Sequence, residues 1–511
     1  MIRAKEETML ENFSLLLGGI QMLLTPMNLL VILAGTVTGI LIGAVPGIGS
    51  LSGCAILLPL TYNFQPTTAI VLLATIYYST MFGGSISAIL LNIPGDSPAV
   101  MTALDGYALN RKGHAGKALF AATFASFIGG LIGMLILVCT VMWLARFGLN
   151  FGNAEMATLL LLALVSVSWL IGDNPTKGIV STLFGALLST LGMDAILGSS
   201  RLNFGYTPLL GGIQFAALVI GAVGFSQVIK LVTEKDSDCD AKVSFKDAFY
   251  NKREFARALP VILRSGFMGT FIGVLPGAGA TTASFASYAI QKKAFRSDVP
   301  LGEGAIEGIS ASEAANNAAA AGSFAPLLAL GIPGSGTGSI LLGGLLMWGL
   351  QPGPLLFTNN SEFAWGCISS LFLANITAVF CAICLMPILS KVITVSNKLL
   401  VPVIAVICSI GAFSATESPF GMITMFIAGI ICYIMDFYGY PLAPLLLSFV
   451  LVPLFEKAMR RALTSSAGNP SVFVGSLICQ ICLFFFFICL MAPVARAILG
   501  AVRKGGKSKD K

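Results

Sequence analysis

Charge is scarce in this sequence. Of 511 residues, 30 are Lys or Arg and 23 are Asp or Glu, 10% together, where a soluble domain carries about 25%. Histidine is nearly absent, with His114 the single copy. No His/Asp/Ser grouping, metal-ligand cluster or phosphate loop appears, which leaves an enzyme without its chemistry. "GVLPGAGATT" has the glycines of a phosphate loop but not its GK[ST] ending. Short alternating strands, the mark of a membrane β-barrel, are missing too. The eleven Cys are scattered, and the CxxC pairs Cys381/Cys384 and Cys479/Cys482 lie in apolar runs with no His nearby. They read as small packing residues.

What is present is apolar length. Hydrophobic residues make up 56% of the chain, and the mean hydropathy is +0.89. Stretches of roughly 17–25 apolar residues, enough to span a bilayer, recur along the chain. The 56 glycines suit helices packed closely in lipid. The net charge of +7 sits in a few loops and the C-terminal tail, a membrane-orientation pattern that gives no case for nucleic-acid binding. After the mixed-charge start no small-residue cleavage site follows, so the first apolar stretch is expected to be retained.

Basic loops set the expected sidedness. "LNRKGHAGK" (109–117), residues 230–257 with seven Lys/Arg and six Asp/Glu, "QKKAFRSD" and the tail "RKGGKSKDK" are placed inside. Residues 61–67, 199–207 and 350–363 are poor in basic residues and are placed outside. Counting passes between them leaves two apolar segments that begin and end on one side. Each has a glycine–proline break near its middle: "GAVPGIGS" (43–50) and "GVLPGAGA" (273–280). The expected solution is a re-entrant hairpin of two half-helices, one entering from each face.

The repeat continues past the tips. Pro46 and Pro276 differ by 230; the later breaks "LNIPGDSPA" and "LGIPGSGTG" put Pro94 and Pro333 apart by 239. Equivalent loops fall on opposite sides, the signature of an inverted-topology repeat. The expectation is an all-α polytopic membrane protein. A tail 1–9 leads to a first repeat 10–232, with its tip at 43–50 and second break at 92–97. A cytoplasmic amphipathic linker 233–257 leads to a second repeat 258–456, with its tip at 273–282 and second break at 331–338. A terminal helix and basic cytoplasmic tail, 457–511, follow. The number of passes in 66–108 is odd. Lys457, Arg460 and Arg461 fall on the outer side against the charge rule, and read as an interfacial segment.

Irregular backbone at membrane depth survives where protein or water covers it. Half-helix N-termini suit a carboxylate, and free carbonyls at half-helix C-termini suit Na⁺. Candidate substrate residues are Gly43, Pro46, Gly47, Gly49, Ser50, Gly273, Pro276, Gly277, Gly279, Thr281 and Thr282. Candidate ion-coupling residues are Asn92, Pro94, Gly95, Asp96, Glu313, Asn316, Asn317, Pro333, Gly334, Ser335 and Thr337. Asp96 and Glu313 stand out because intramembrane carboxylates are costly, although each could cap a helix at the interface instead. Asp105 reads as a cap or a loop partner. No cofactor is expected.

"GAVPGIGSLSG", "GVLPGAGATTASFASYAIQKK", "LNIPGDSPA" and "GIPGSGTGSILLGGLLMWGLQPGPLLF" resemble the large membrane subunit of tripartite tricarboxylate transporters, the TctA family, over roughly residues 15–460. The resemblance implies a multi-pass protein of the bacterial inner membrane with both termini cytoplasmic. It implies a small TctB-like membrane subunit and a periplasmic TctC-like binding protein that delivers citrate or another organic carboxylate. It implies import driven by an ion gradient, usually Na⁺, with H⁺ the alternative. A homodimer of the complex is compatible with it. An elevator-like motion follows only by analogy with other inverted-hairpin carriers. An anion channel would call for charged rings or a repeated filter, which are not seen; a scaffold without transport of its own would not need symmetric breaks.

Overall fold

The computed structural model describes residues 2–45, 48–170, 175–194, 196–233, 249–275, 279–295, 297–392 and 397–491. Eight described helices are long and apolar enough to cross a membrane, so the chain is an all-helical, multi-pass membrane protein. Among the described residues the one strand pairing is a two-residue ladder, β1 (Gly192–Met193) against β2 (Ser200–Arg201).

The chain forms two compact units, Met1–Gly148 with Ile213–Phe437, and Leu149–Gly212 with Tyr438–Lys511. Each draws on both halves of the sequence. The first unit opens with α1 (Ile2–Leu23), α2 (Pro26–Ala44) and α3 (Gly49–Leu57), the last continued by a 3-10 turn to Asn63. Next come α4 (Pro66–Leu91), a 3-10 turn (Ser97–Ala99), α5 (Val100–Arg111) and α6 (Ala115–Gly148). The second unit holds α7 (Asn153–Leu170) and α8 (Pro175–Ser189).

The first unit resumes with α9 (Phe215–Val219), a π-helical stretch (Ile220–Phe225) and α10 (Ser226–Thr233), running as one helix. It continues with α11 (Lys252–Val274), α12 (Gly279–Ala294), α13 (Ile306–Gly322), α14 (Phe324–Leu330), α15 (Gly336–Met347), α16 (Leu356–Asn359), α17 (Ser361–Val392), α18 (Asn397–Thr416) and α19 (Pro419–Phe437). The second unit ends with α20 (Leu442–Ser465) and a helix over Leu477–Met491.

Both expected hairpins fold back on themselves. Ser287 Oγ donates to Ser265 Oγ at 2.8 Å, and Arg264 donates to Gln291, so α11 and α12 run antiparallel. A Cβ on Gly53 of α3 would lie 2.8 Å from Ile42 of α2. The first arm of each, however, is longer than the half-helix expected. α2 has 19 residues and α11 has 23, about 28 and 35 Å at 1.5 Å per residue, while the return helices have 9 and 16. α11 also starts earlier than the boundary drawn at residue 258. A capping box at its entry, Asn251 with Glu254, satisfies the first amides and extends the helix back to Lys252. Of the linker, residues 234–248 lie outside the described residues. Within 66–108 only α4 is of spanning length.

Small residues let these helices touch backbone to backbone. A Cβ on Gly43 of α2 would lie 2.9 Å from Thr80 Cα of α4; one on Gly273 of α11 would lie 2.6 Å from Ala319 Cα of α13. In lipid, where apolar side chains gain little from meeting one another, such close packing holds helices together. The outer helices follow one plan twice. α8 and α19 each start with a proline and carry a glycine ten residues on, Gly185 and Gly429. Gly185 lies against Ser448 and the Leu445 carbonyl of α20, and Gly429 against Phe225 and the Gly221 carbonyl of the π-helical stretch.

The basic residues near 460 lie in the last turns of α20. Arg460 donates to Asp194 at 2.9 Å and lies 2.7 Å from Glu456; Arg201 bonds Glu456 at 2.7 and 3.0 Å and also meets Asp194. Two cations and two anions make the cluster neutral. The N–H groups of Leu197 and Ile196, then Arg460 and Arg201, hold the Asp194 carboxyl down at about 2.

Candidate functional site

The four breaks come together in one polar patch of the first unit. At the first tip α2 ends at Ala44 and the chain restarts at Gly49, whose φ of +52° suits glycine. Pro46 and Gly47 lie outside the described residues. α4 ends on Asn92 in the left-handed conformation, φ 59°. The chain then turns through Pro94 and Gly95, and Gly95 packs so closely on the Gly43 carbonyl that a Cβ has no room. That turn places Asp96 over the start of α3. Asp96 Oδ2 accepts the Ser50 N–H at 2.8 Å, and Oδ1 accepts the Ser97 N–H at 2.8 Å. A carboxylate thus sits on the positive end of the tip helix.

The second pair repeats the geometry. α11 ends at Val274, and α12 begins at Gly279 with φ +59°; Pro276, Gly277 and Ala278 are outside the described residues. α14 ends on Gly331 at φ +72°, in the place of Asn92. After Pro333, a Cβ on Gly334 would lie 2.8 Å from the Gly273 carbonyl oxygen, as Gly95 lies on Gly43. Ser335 stands where Asp96 stands (335 − 96 = 239, the Pro94-to-Pro333 offset). Its hydroxyl bonds none of the described tip residues; it caps α15 by accepting the Gly338 N–H at 3.1 Å. Thr281 and Thr282 are half-buried in the first turn of α12.

Two contacts join the pairs. Ser50 Oγ and Thr337 Oγ1 share a hydrogen bond at 3.0 Å. The Tyr77 hydroxyl of α4 bridges Ser335 Oγ at 3.3 Å and Ser323 Oγ at 3.4 Å. Asp96, Ser50, Thr337, Ser335 and Tyr77 therefore form one patch fed by both halves.

Other candidates lie elsewhere. Asn92 is exposed, and its place is conformational: asparagine tolerates the left-handed turn that ends α4. Glu313 is fully buried on α13, bonded to Thr102 of α5 at 2.5 Å and Ser126 of α6 at 2.9 Å. Asn317 Nδ2 donates to the Glu313 carbonyl at 3.1 Å, while Asn316 Oδ1 accepts no hydrogen bond. Asp105, buried, accepts the N–H groups of Gly302, Gly304 and Ala305 at 2.8–3.0 Å and the Tyr288 hydroxyl at 2.8 Å. It caps the entry to α13, as its loop-side position suggested.

Sequence reasoning missed Tyr77, Thr102, Ser126 and Ser323. A signal for Tyr77 existed: the 239-residue offset pairs it with Asn316, so two polar groups recur at one place in the repeat.

The model of the Tripartite tricarboxylate transporter TctA family matches residues 29–447. An Agrobacterium vitis protein named "Uncharacterized 52.8 kDa protein in TAR-I ttuC' 3'region" is 36% identical over 491 residues, 96% of this chain and 97% of that one. A second, "Uncharacterized protein in TAR-II ttuC' 3'region" from the same species, is 38% identical over 230 residues, 45% of this chain and 95% of its own length. No solved structure matches significantly. With four-fifths of its length matched, both breaks of each half included, this chain belongs to the tripartite tricarboxylate transporter TctA family.

Proposed function

We propose that the chain is the carrier subunit that moves an organic carboxylate into a bacterial cell across the inner membrane. The substrate, citrate or a related tricarboxylate, arrives from a TctC-like periplasmic binding protein, and a TctB-like small subunit completes the complex. A cation gradient, Na⁺ rather than H⁺, drives uptake. The two halves act as an inverted repeat, with both termini cytoplasmic and the hairpins and broken helices carrying the site in an elevator-like motion. The observation that carries this reading is the joined patch, in which Ser50 and Thr337 bond at 3.0 Å across the two halves.

The two tips divide the work. Asp96 already holds the Ser50 amide in the first turn of α3, so a second anion there would meet like charge. At about 4 Å such a pair costs on the order of 4 kcal/mol at an effective dielectric of 20. The neutral Ser335 leaves the α12 tip free of a fixed carboxylate, and the substrate carboxylate is assigned to that tip.

The test is reconstitution. Proteoliposomes holding the complex, given the binding protein loaded with labelled carboxylate and an inward Na⁺ gradient, should accumulate label. Uptake unchanged after both Na⁺ and proton gradients are collapsed would remove secondary coupling. Label that only equilibrates, without accumulating, would indicate a channel.

A further inference from the structure

Glu313 lies outside the patch that joins the tips, with none of its oxygens bonded to a tip residue. It is 0% exposed, and no ion pair among the described residues includes it. An ionised carboxylate in such a place is very costly unless a positive charge joins it. Its partners are neutral side chains, two of them hydroxyls. Thr102 Oγ1 donates to Oε1 at 2.5 Å, Ser126 Oγ donates to Oε2 at 2.9 Å, and Thr102 also bonds Ser312 Oγ at 2.9 Å. Three helices, α5, α6 and α13, supply these oxygens.

The second observation is Asn316, one turn along α13 and beside the carboxyl. It is 1% exposed, and while its amide group faces the Glu313 carboxyl, its Oδ1 has no hydrogen-bond partner. A buried amide oxygen with nothing bonded to it is the mark of a missing group. One proton on Glu313 could satisfy at most one of the open oxygens nearby. A cation that accepts several oxygens satisfies the carboxylate, the hydroxyl lone pairs and Oδ1 together.

We infer that Glu313, Thr102, Ser126 and Asn316 bind Na⁺, the coupling ion, apart from the carboxylate site. This rests on the transport reading above. One carboxylate matches one positive charge, and no group of three His, Cys, Asp or Glu exists among the described residues to hold a divalent metal. The donors are all hard oxygens, as Na⁺ prefers and transition metals do not. Because α13 also carries Asn317 and leads through Ser323 to the Tyr77 contact of the tip patch, ion occupancy and the carboxylate site share a helix.

The test is equilibrium binding of radiolabelled Na⁺ to the purified full chain, in choline buffer without carboxylate. Wild type should bind saturably, with Li⁺ competing and K⁺ not. Glu313→Gln should weaken affinity at least about tenfold, and Asn316→Ala and Thr102→Val by about threefold or more. Glu362→Gln, an exposed carboxylate on α17, should bind as wild type. If Glu313→Gln loses its size-exclusion peak, Asn316→Ala and Thr102→Val carry the test. Wild-type Na⁺ affinity in all three site variants overturns the proposal, as does a wild type that binds no Na⁺ while importing carboxylate on another gradient. Na⁺ binding that the variants abolish, in a complex that imports nothing, supports this site and overturns the transport reading instead.

Discussion

The first and second break pairs are built from the same parts and differ at the residue that faces the tip. Both tips restart on a glycine with positive φ, and both second breaks follow a left-handed turn and a proline–glycine step. In both, that glycine lies on the carbonyl of the last glycine of the hairpin arm. Then one pair presents Asp96 and the other Ser335. The backbone plan is duplicated because close helix approach demands it. The side chains are not, and under the proposed carboxylate transport a fixed carboxylate at the second tip would repel the substrate.

The largest effect tests the shared plan. The space beside Gly95 is tighter than that beside Gly334. Gly95→Ala should therefore cost more stability than Gly334→Ala, beyond the ~1–3 kcal/mol typical of overpacking, where Gly334→Ala should fall within it. Thermal unfolding in detergent measures the pair; equal losses would contradict the difference in tightness, and no loss at either site would break the shared plan. Next comes the difference between the pairs. Ser335→Asp should abolish carboxylate uptake by the reconstituted complex, by about 100-fold or ~2.7 kcal/mol in apparent affinity. Asp96→Asn keeps a Ser50 acceptor and should be milder. The reverse order would reassign the substrate to the first tip.

Smaller changes sharpen the picture. Thr337→Val removes the bond that joins the pairs and should lower stability by about 0.5–1.5 kcal/mol. Ser50→Ala should do the same, and the double change should cost little more than either alone. The smallest effect belongs to the second unit, where Asp194 contrasts with Asp96 by having two arginines beside it. Its carboxyl sits at about 2 in the folded chain, below the ordinary 3.8. The folded state therefore holds this proton less readily than the unfolded state. The stabilisation is full above the ordinary value and is lost as pH falls from about 3.8 to about 2. The wild-type advantage in Tm over Asp194→Asn should be constant above about pH 5 and shrink towards zero near pH 2. An advantage that persists at pH 2 would contradict the charge argument.

Much of this was legible in the sequence, for a physical reason. Glycine and proline breaks in apolar runs are expensive, so "GAVPGIGS", "GVLPGAGA" and the two IPG motifs could be found by composition alone. Their spacing paired them. Arm lengths were not legible, because the residues that extend α11, Asn251 and Glu254, lie in a charged stretch that reads as linker. Tyr77, Thr102 and Ser126 were hidden for another reason. Single polar groups in an apolar helix gain meaning only when packing shows whom they face. The Arg460 pairing likewise depends on Asp194, 266 residues away.

The account turns on one claim, that the tips of both halves form a single site. A variant with the eleven native cysteines replaced, carrying Ser50→Cys and Thr337→Cys, measures it most directly. Oxidation should link the two positions in the substrate-free complex and stop carboxylate uptake, since a bond across the patch leaves the anion no entry. Reductant should restore uptake, and bound carboxylate should slow the linking. Cysteines that never link, or a linked complex that imports at the unlinked rate, would contradict the claim.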